Sequence, residues 1–208
     1  EARFDSAASA LEELLRTTDP SQIGAIVCGS SSLETMFTVK KLFSQLGSSN
    51  YAVYIPTADG KGDDILKLPS HASNENGAKL LGMPTDAEGI AKKAASGEIK
   101  VLIVVESDLL GSSDKAKFEG IRKAANLIVL AQKADETAKA ASIALPIRNF
   151  VETNGSYVNA TSLLQAARQA YEPENGDRVL PPALLVGEMA NVLGFDGFRF
   201  QDPVFLFD

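Results

Sequence analysis

Short apolar runs of strand length recur along the chain, and segments with helical periodicity separate them. This alternation is the feature that most restricts the fold, because strands joined by helices of ten or so residues form right-handed crossovers in a parallel sheet. Strands are predicted at 23–28, 51–55, 100–105, 126–131 and 143–146. Helices are predicted at 1–16, 33–46, 77–81, 86–95, 114–124, 134–141 and 181–193. The pattern predicts a doubly wound α/β fold with a mostly parallel sheet and an irregular C-terminal segment.

The connection over residues 56–76 is long and polar, with several prolines and glycines. Long connections of this kind often separate structural units, so it predicts a first α/β lobe at residues 1–70 and a second at 71–208. After Pro146 the helical period disappears, and Asn154-Gly155 is a typical turn pair. Residues 195–208 hold five of the chain's ten phenylalanines. Such a tail is expected to pack on its own lobe or, less favourably, on a partner.

Charge and rare residues exclude several classes of function. The 27 acidic residues outnumber the 20 basic ones, which gives a net charge of −7 and argues against a nucleic-acid partner. No apolar run approaches the ~20 residues of a spanning helix, so no direct insertion into a membrane is expected. With Cys28 and His71 as the single cysteine and histidine, the chain alone forms no disulfide, Cys₄ cluster or Cys/His zinc site. Because the chain starts at Glu1 rather than methionine, it is expected to belong to something longer.

Three candidate functional positions lie in the first half of the chain, and each also has a purely structural interpretation. The turn Cys28–Ser32 joins a predicted strand to a helix N-terminus, where backbone N–H groups could bind an anion. It has a single glycine and no complete phosphate-binding motif, so a structural turn is favoured. Cys28 could be an activated thiolate but is more often a buried core residue. His71 lies in a polar stretch and is expected on the surface rather than as a catalytic base.

Glu106 and Asp108 follow the strand at 100–105, at the sheet edge where α/β folds bind ligands. They could hold a ribose or a metal, or they could cap the helix after Gly111, which is favoured. The residues themselves therefore predict no catalytic, cofactor-binding or metal-binding side chain in this chain.

A series of short motifs resembles the molybdopterin-oxidoreductase superfamily, in the right order and with nearly the same gaps. The matching segments are Asn76-Gly77-Ala78, Leu81-Gly82, the strand 101–105, Glu136-Thr137-Ala138, Ala141, Leu145-Pro146, Glu152, 155–159, Gln165, the surroundings of Asp177 and Leu193-Gly194. The resemblance implies that family's α/β fold over about half of the chain.

The departures from the family pattern fall on its polar and charged positions. Ser142 stands where the family has aspartate, and Thr161, Ser162 and Leu163 stand where it has glutamate, glycine and arginine. The segment Glu106–Asp108, which follows the matching strand, also differs from the residues that the family has there. Because the lost side chains suit a pterin pyrophosphate, the resemblance implies a branch that keeps the scaffold without molybdopterin. That branch is the C-terminal region of the large iron–sulfur (G-type) subunits of NADH–quinone oxidoreductase, respiratory complex I.

The resemblance implies a structural role that supports electron transfer from NADH to quinone, with no cofactor in this chain. Iron–sulfur clusters would lie in an N-terminal part of the parent subunit. The partners would be other peripheral-arm subunits, including the flavin- and NADH-binding one, at the cytoplasmic side of the membrane. One alternative is a piece of a molybdenum or tungsten pterin oxidoreductase of the formate- or formylmethanofuran-dehydrogenase type. Another is a nucleotide-binding α/β domain that uses the turn at residues 29–32.

Overall fold

The computed structural model describes residues 4–56, 62–63, 67–174 and 179–200. The strands are β1 Ile23–Cys28, β2 Tyr51–Tyr54, β3 Val101–Val105, β4 Asn126–Ala131, β5 Ile143–Pro146, β6 Gly155–Val158 and β7 Leu164–Ala167. The α-helices are α1 Phe4–Thr17, α2 Leu33–Leu46, α3 Glu75–Leu80, α4 Ala87–Ser96, α5 Lys115–Phe118, α6 Glu136–Ala140 and α7 Pro182–Val192. Two 3₁₀ helices cover Pro20–Gln22 and Glu119–Lys123.

The first five strands form one parallel sheet in the order β2-β1-β3-β4-β5. Val27 of β1 lies opposite Val53 on one side and Val105 on the other. The strand order therefore reverses at β1: β2 lies on one side of it, and β3 and the later strands lie on the other. In α/β sheets ligands bind at such a reversal, here between β1 and β3. The predicted parallel α/β fold is confirmed. Strands from both sides of residue 70 share this sheet, and the division into two lobes stays a prediction.

Each face of the sheet has its own apolar core, which is why the strands are apolar along their whole length. Ala25 and Val27 face the side covered by α1, α2 and α7, whereas Ile26 faces the side covered by α4, α5 and α6. This alternation is the period-two pattern of a strand expressed on both faces. The sheet is therefore doubly wound. Helices cover its two faces, and the ends of its strands stay open for a site.

Helix α2 starts immediately after the turn that follows β1, and its ends are well defined. The Ser32 hydroxyl accepts a hydrogen bond from the Thr35 N–H at 3.2 Å, as an N-cap does. At the other end Gly47 adopts φ 67°, a left-handed conformation that glycine takes without a steric penalty. These caps fix the residues of the β1–α2 turn in register with the sheet.

Two local predictions were wrong. The helix predicted at 114–124 is the single α-helical turn α5 followed by the 3₁₀ helix Glu119–Lys123, because few apolar residues there face the sheet. Asn154-Gly155 is not the turn of a hairpin, since Gly155 begins β6, which pairs antiparallel with β7. The hairpin turns at residues 159–163, where the Asn159 side-chain oxygen accepts from the Thr161 and Leu163 N–H groups, both at 3.0 Å.

The described part of the phenylalanine-rich tail packs on the chain itself. Phe198 is buried, and Phe195 and Phe200 pack half-buried against the core of the α7 face. The Lys41 ammonium lies 4.7 Å from the Phe198 ring centre. Packing of the tail on its own chain is therefore confirmed for residues 195–200. Residues 201–208 and the motif around Asp177 lie outside the described residues.

Candidate active site

A cleft of about 400 Å³ opens at the carboxyl edge of the sheet, between the ends of β1 and β3. Its lining residues come from six separate stretches of the chain: Cys28, Ser30, Ser31, Ser73, Glu106, Gln132, Phe150 and Tyr157. Cys28 ends β1 and Glu106 directly follows β3, so the parallel strands bring them to the same edge. The cleft is therefore the candidate site that the topology itself defines.

The β1–α2 turn uses its backbone donors within the chain. The N–H groups of Gly29 and Ser31 donate to the carbonyls of Tyr54 and Cys28 at 2.8 and 3.0 Å. The Ser30 N–H donates to the Cys28 sulfur at 3.4 Å. Because these three donors are engaged, the turn is not the open phosphate cradle that an anion site needs. The structural interpretation of this turn is favoured.

Cys28 is not an activated thiolate. Burial raises the pKa of its thiol, and the nearby negative charge of Glu106 raises that pKa further. Cysteine nucleophiles need the opposite surroundings, an electropositive site that lowers the thiol pKa. Cys28 thus carries a protonated thiol, and its half-buried side chain lines the cleft.

Glu106 points into the cleft from a backbone conformation that is rare for its residue type. Its φ is 56°, in the left-handed region. The Gln132 amide donates to its Oε1 at 3.1 Å, while its Oε2 is buried without a hydrogen-bond partner. Burial raises the pKa of the Glu106 carboxyl, and the neighbouring Ser31 hydroxyl and the Gln132 amide oppose this only in part. Helix capping, which was favoured for this residue, is wrong.

Glu34 is a second carboxylate beside the cleft, and sequence reasoning missed it. It lies in the first turn of α2 and is fully buried. Its Oε2 accepts from the Ser156 N–H at 2.9 Å, whereas its Oε1 has no hydrogen-bond partner. Burial, together with the charges of Glu106 and Glu34, raises the pKa of Tyr157 to about 12. The polar groups in and beside the cleft therefore include two carboxyls, and no described lysine or arginine lines it.

Asp108 has the capping role that was favoured for it, but the helix that it caps is α6. Its Oδ1 accepts from the Gly111 N–H at 3.0 Å, and from the Thr137 N–H and hydroxyl at 3.1 and 2.9 Å. The Thr137 hydroxyl in turn accepts from the Leu110 N–H at 2.9 Å. Asp108 thus joins the loop after β3 to the start of α6, and the Glu136–Ala138 motif is structural here.

Asn74 is a further residue that sequence reasoning missed. It is fully buried, its amide donates to the Ser31 and Ser156 carbonyls at 2.8 and 3.4 Å, and its oxygen accepts from the Val158 N–H at 2.8 Å. The spacing of the family pattern, asparagine three residues before Gly77-Ala78, could have identified it. Asn74 connects the β1–α2 turn to strand β6.

His71 lies outside the cleft. It is exposed and is not among the lining residues, as expected of a surface histidine. Within the described ranges, no group of three or more His, Cys, Asp or Glu side chains is arranged to hold a metal ion. In the same part of the chain, no helix combines the length and apolar character needed to cross a bilayer.

The chain belongs to the molybdopterin oxidoreductase family, whose model matches residues 65–179, more than half of its length. It is also similar to the G-type subunit of the NADH-quinone oxidoreductase of Pseudomonas fluorescens, with 24% identity over 154 residues. That match covers 74% of this chain, and the chain spans 15% of the relative's length. The resemblance drawn from the sequence motifs is confirmed.

The residues of the cleft do not fit an anionic pterin cofactor. The described lining residues include no lysine or arginine, and the Glu106 carboxyl would face a phosphate placed there. Thr161, Ser162 and Leu163, at the family's charged positions, lie in the exposed β6–β7 turn and contribute no cation. Phosphate recognition in proteins depends on cationic side chains and free backbone N–H groups; the described lining offers no cationic side chain, and the N–H groups of Gly29, Ser30 and Ser31 are engaged within the chain.

Proposed function

We propose that this chain is a structural part of an NADH–quinone oxidoreductase subunit and that it binds no molybdopterin. Its membership of the molybdopterin oxidoreductase family and its similarity to a G-type subunit support the assignment. In this role it packs the cluster-bearing part of the parent subunit against its neighbours. Electrons pass from NADH to quinone through centres held elsewhere, including iron–sulfur clusters in the parent subunit.

The observation that carries the proposal is the lining of the cleft at the β1–β3 position, which holds the Glu106 carboxyl and no described lysine or arginine. An anionic cofactor would place its phosphates beside the Glu106 carboxyl, with no described lysine or arginine among the lining residues to attract them, and like charges at close range repel. The same lining and the bonded β1–α2 turn make a nucleotide site unfavourable. The scaffold has thus kept the family's fold with a site of the opposite electrostatic preference.

The partners in this proposal are other peripheral-arm subunits, among them the flavin- and NADH-binding subunit, on the cytoplasmic side of the membrane. Contacts between such subunits require a well-packed, stable domain rather than a catalytic group. The two complete cores of the sheet provide that stability.

The proposal is tested by anaerobic purification of the untagged native protein from its source. Iron, molybdenum and tungsten are measured in the same fraction, and all co-purifying chains are identified by mass spectrometry. We expect iron, a flavin-containing partner and no stoichiometric molybdenum or tungsten. One molybdenum or tungsten per chain would contradict the proposal and favour a pterin oxidoreductase. The washed membrane fraction, analysed in parallel, controls for metal carried by other complexes.

A further inference from the structure

Four buried polar atoms lack a hydrogen-bond partner among the described residues, and they belong to one region. They are Ser31 Oγ, Glu34 Oε1, Glu106 Oε2 and Ser107 Oγ. All four residues follow β1 or β3 or begin α2, beside the cleft. A buried polar group without a partner is costly, so such a concentration indicates a site where a ligand binds. Ser31 is itself only 2% exposed and lines the cleft.

The two carboxyl oxygens of this group can only accept when ionised, so a ligand that donates hydrogen bonds suits them, and a positively charged donor suits them best. Neither Glu34 nor Glu106 forms an ion pair with any described lysine, arginine or histidine. Burial favours the protonated form of the Glu106 carboxyl, and a cation bound beside it would favour the ionised form, so that cation binding and loss of this proton are coupled. Among the described residues, no group of three or more His, Cys, Asp or Glu side chains is arranged to hold a metal ion.

The walls of the cleft favour an organic cation over a hydrated inorganic one. Phe150 and Tyr157 both line it, and Phe150 is 68% exposed. Aromatic faces attract ammonium and guanidinium groups and cover the carbon skeleton attached to them. A volume of about 400 Å³ lies in the range of small-molecule sites.

We propose that the cleft between β1 and β3 binds a small organic cation, with an ammonium or guanidinium group against Glu106 and Ser31 and its carbon chain along Phe150 and Tyr157. The binding is non-covalent and transfers no electron or proton to the ligand. The proposal concerns the chemistry of this cleft and does not depend on the role in a larger assembly.

The probes are butylguanidinium and butylammonium, with butylurea as the neutral analogue and inorganic phosphate as the anion. Binding to the full chain is measured by isothermal titration calorimetry and by amide chemical shifts, at constant ionic strength in a buffer without amines. We expect saturable binding of both cations, with shifts at Ser31, Glu106 and Tyr157. Butylurea should bind at least tenfold more weakly, and phosphate should leave the melting temperature unchanged.

Three variants locate the site. Glu106→Gln keeps the shape of the side chain without its charge and should weaken cation binding at least tenfold. Ser31→Ala removes a neutral partner and should weaken it several-fold, which tests the site even if the first variant folds poorly. Glu98→Gln makes the same charge change before the amino end of β3, where the exposed Glu98 pairs with Lys93 at 3.3 Å. It should leave binding unchanged.

Equal affinity for butylurea and the two cations would overturn the proposal, as would unaltered cation binding in both Glu106→Gln and Ser31→Ala. A melting temperature that rises with phosphate would overturn it as well and would favour a nucleotide site. None of these results bears on the metal content or the partners of the native complex, so the structural role is tested separately.

Discussion

At the scale of single residues, Glu106 combines three unfavourable features. It has a left-handed backbone conformation, which costs about 1–2 kcal/mol for a residue with a Cβ. Its side chain enters a region of low dielectric, and its Oε2 has no partner. Proteins keep such combinations where the surrounding structure enforces them, and they cluster at sites of function.

The charge of Glu106 should make the folded state less stable as the pH rises. Its folded-state pKa is raised above the ordinary value of 4.5, so the folded chain keeps a proton that the unfolded chain has lost. The cost is absent below the ordinary value and complete above the raised one. Glu106→Gln should therefore match the unsubstituted protein in stability near pH 4 and become increasingly more stable than it as the pH rises above 4.5. Urea unfolding across this range measures the difference.

The exposed Glu98→Gln is the matched control, and its stability difference should stay nearly flat over the same range. A Glu106→Gln difference that is also flat, or that shrinks toward high pH, would show that Glu106 is freely ionised in the folded state.

At the scale of elements, the β6–β7 turn shows why the family has a glycine where this chain has Ser162. Ser162 adopts φ 64°, and it stands at the glycine position of the family motif. The Ser162 N–H donates to the Asn159 carbonyl at 2.9 Å, so the turn itself enforces this conformation. A serine here carries the steric cost that glycine avoids.

Ser162→Gly should stabilise the chain by up to about 1 kcal/mol. The relief of a left-handed serine, about 1–2 kcal/mol, exceeds the entropy that glycine adds to the unfolded state, about 0.4–1 kcal/mol. Thermal unfolding measures the change. Ser162→Ala keeps the Cβ and should give no gain, so equal effects of the two substitutions would contradict the explanation.

At the scale of the whole molecule, Asn74 holds together parts that lie far apart in the sequence. Its side chain bonds to Ser31 in the β1–α2 turn and to Ser156 and Val158 in β6. Gly77 allows this arrangement, since a Cβ at that position would collide with the Asn74 side chain and lie 2.8 Å from Leu33 Cδ2. The β6–β7 hairpin, which has no place in the main sheet, is thereby fixed over the cleft.

Asn74→Ala should destabilise the chain by about 2–4 kcal/mol, because it leaves buried carbonyls and an N–H without partners. Asn76→Ala is the control, since that half-buried amide bonds only to the Asn159 and Ala160 carbonyls at 2.8 and 3.3 Å. It should cost about 0.5–1.5 kcal/mol. Urea unfolding compares the two, and hydrogen exchange should show β6 losing protection in Asn74→Ala alone. A cost for Asn74→Ala no larger than that of Asn76→Ala would contradict its central role.

The sequence alone determined the strands of the parallel sheet, the helix α2 with its glycine end and the family. Each depends on local information: continuous apolar runs, capping residues and motifs at fixed spacing. It also placed Cys28 and Glu106 at strand ends, because parallel strands bring their carboxyl ends to one edge. Only the tertiary structure decided that Glu34 is buried, that Asn74 joins β6 to the first turn, and that Ser156 meets a carboxylate 122 residues away. Periodicity specifies which face of an element is buried, but the charge of a site depends on contacts between distant segments, and only their packing specifies those.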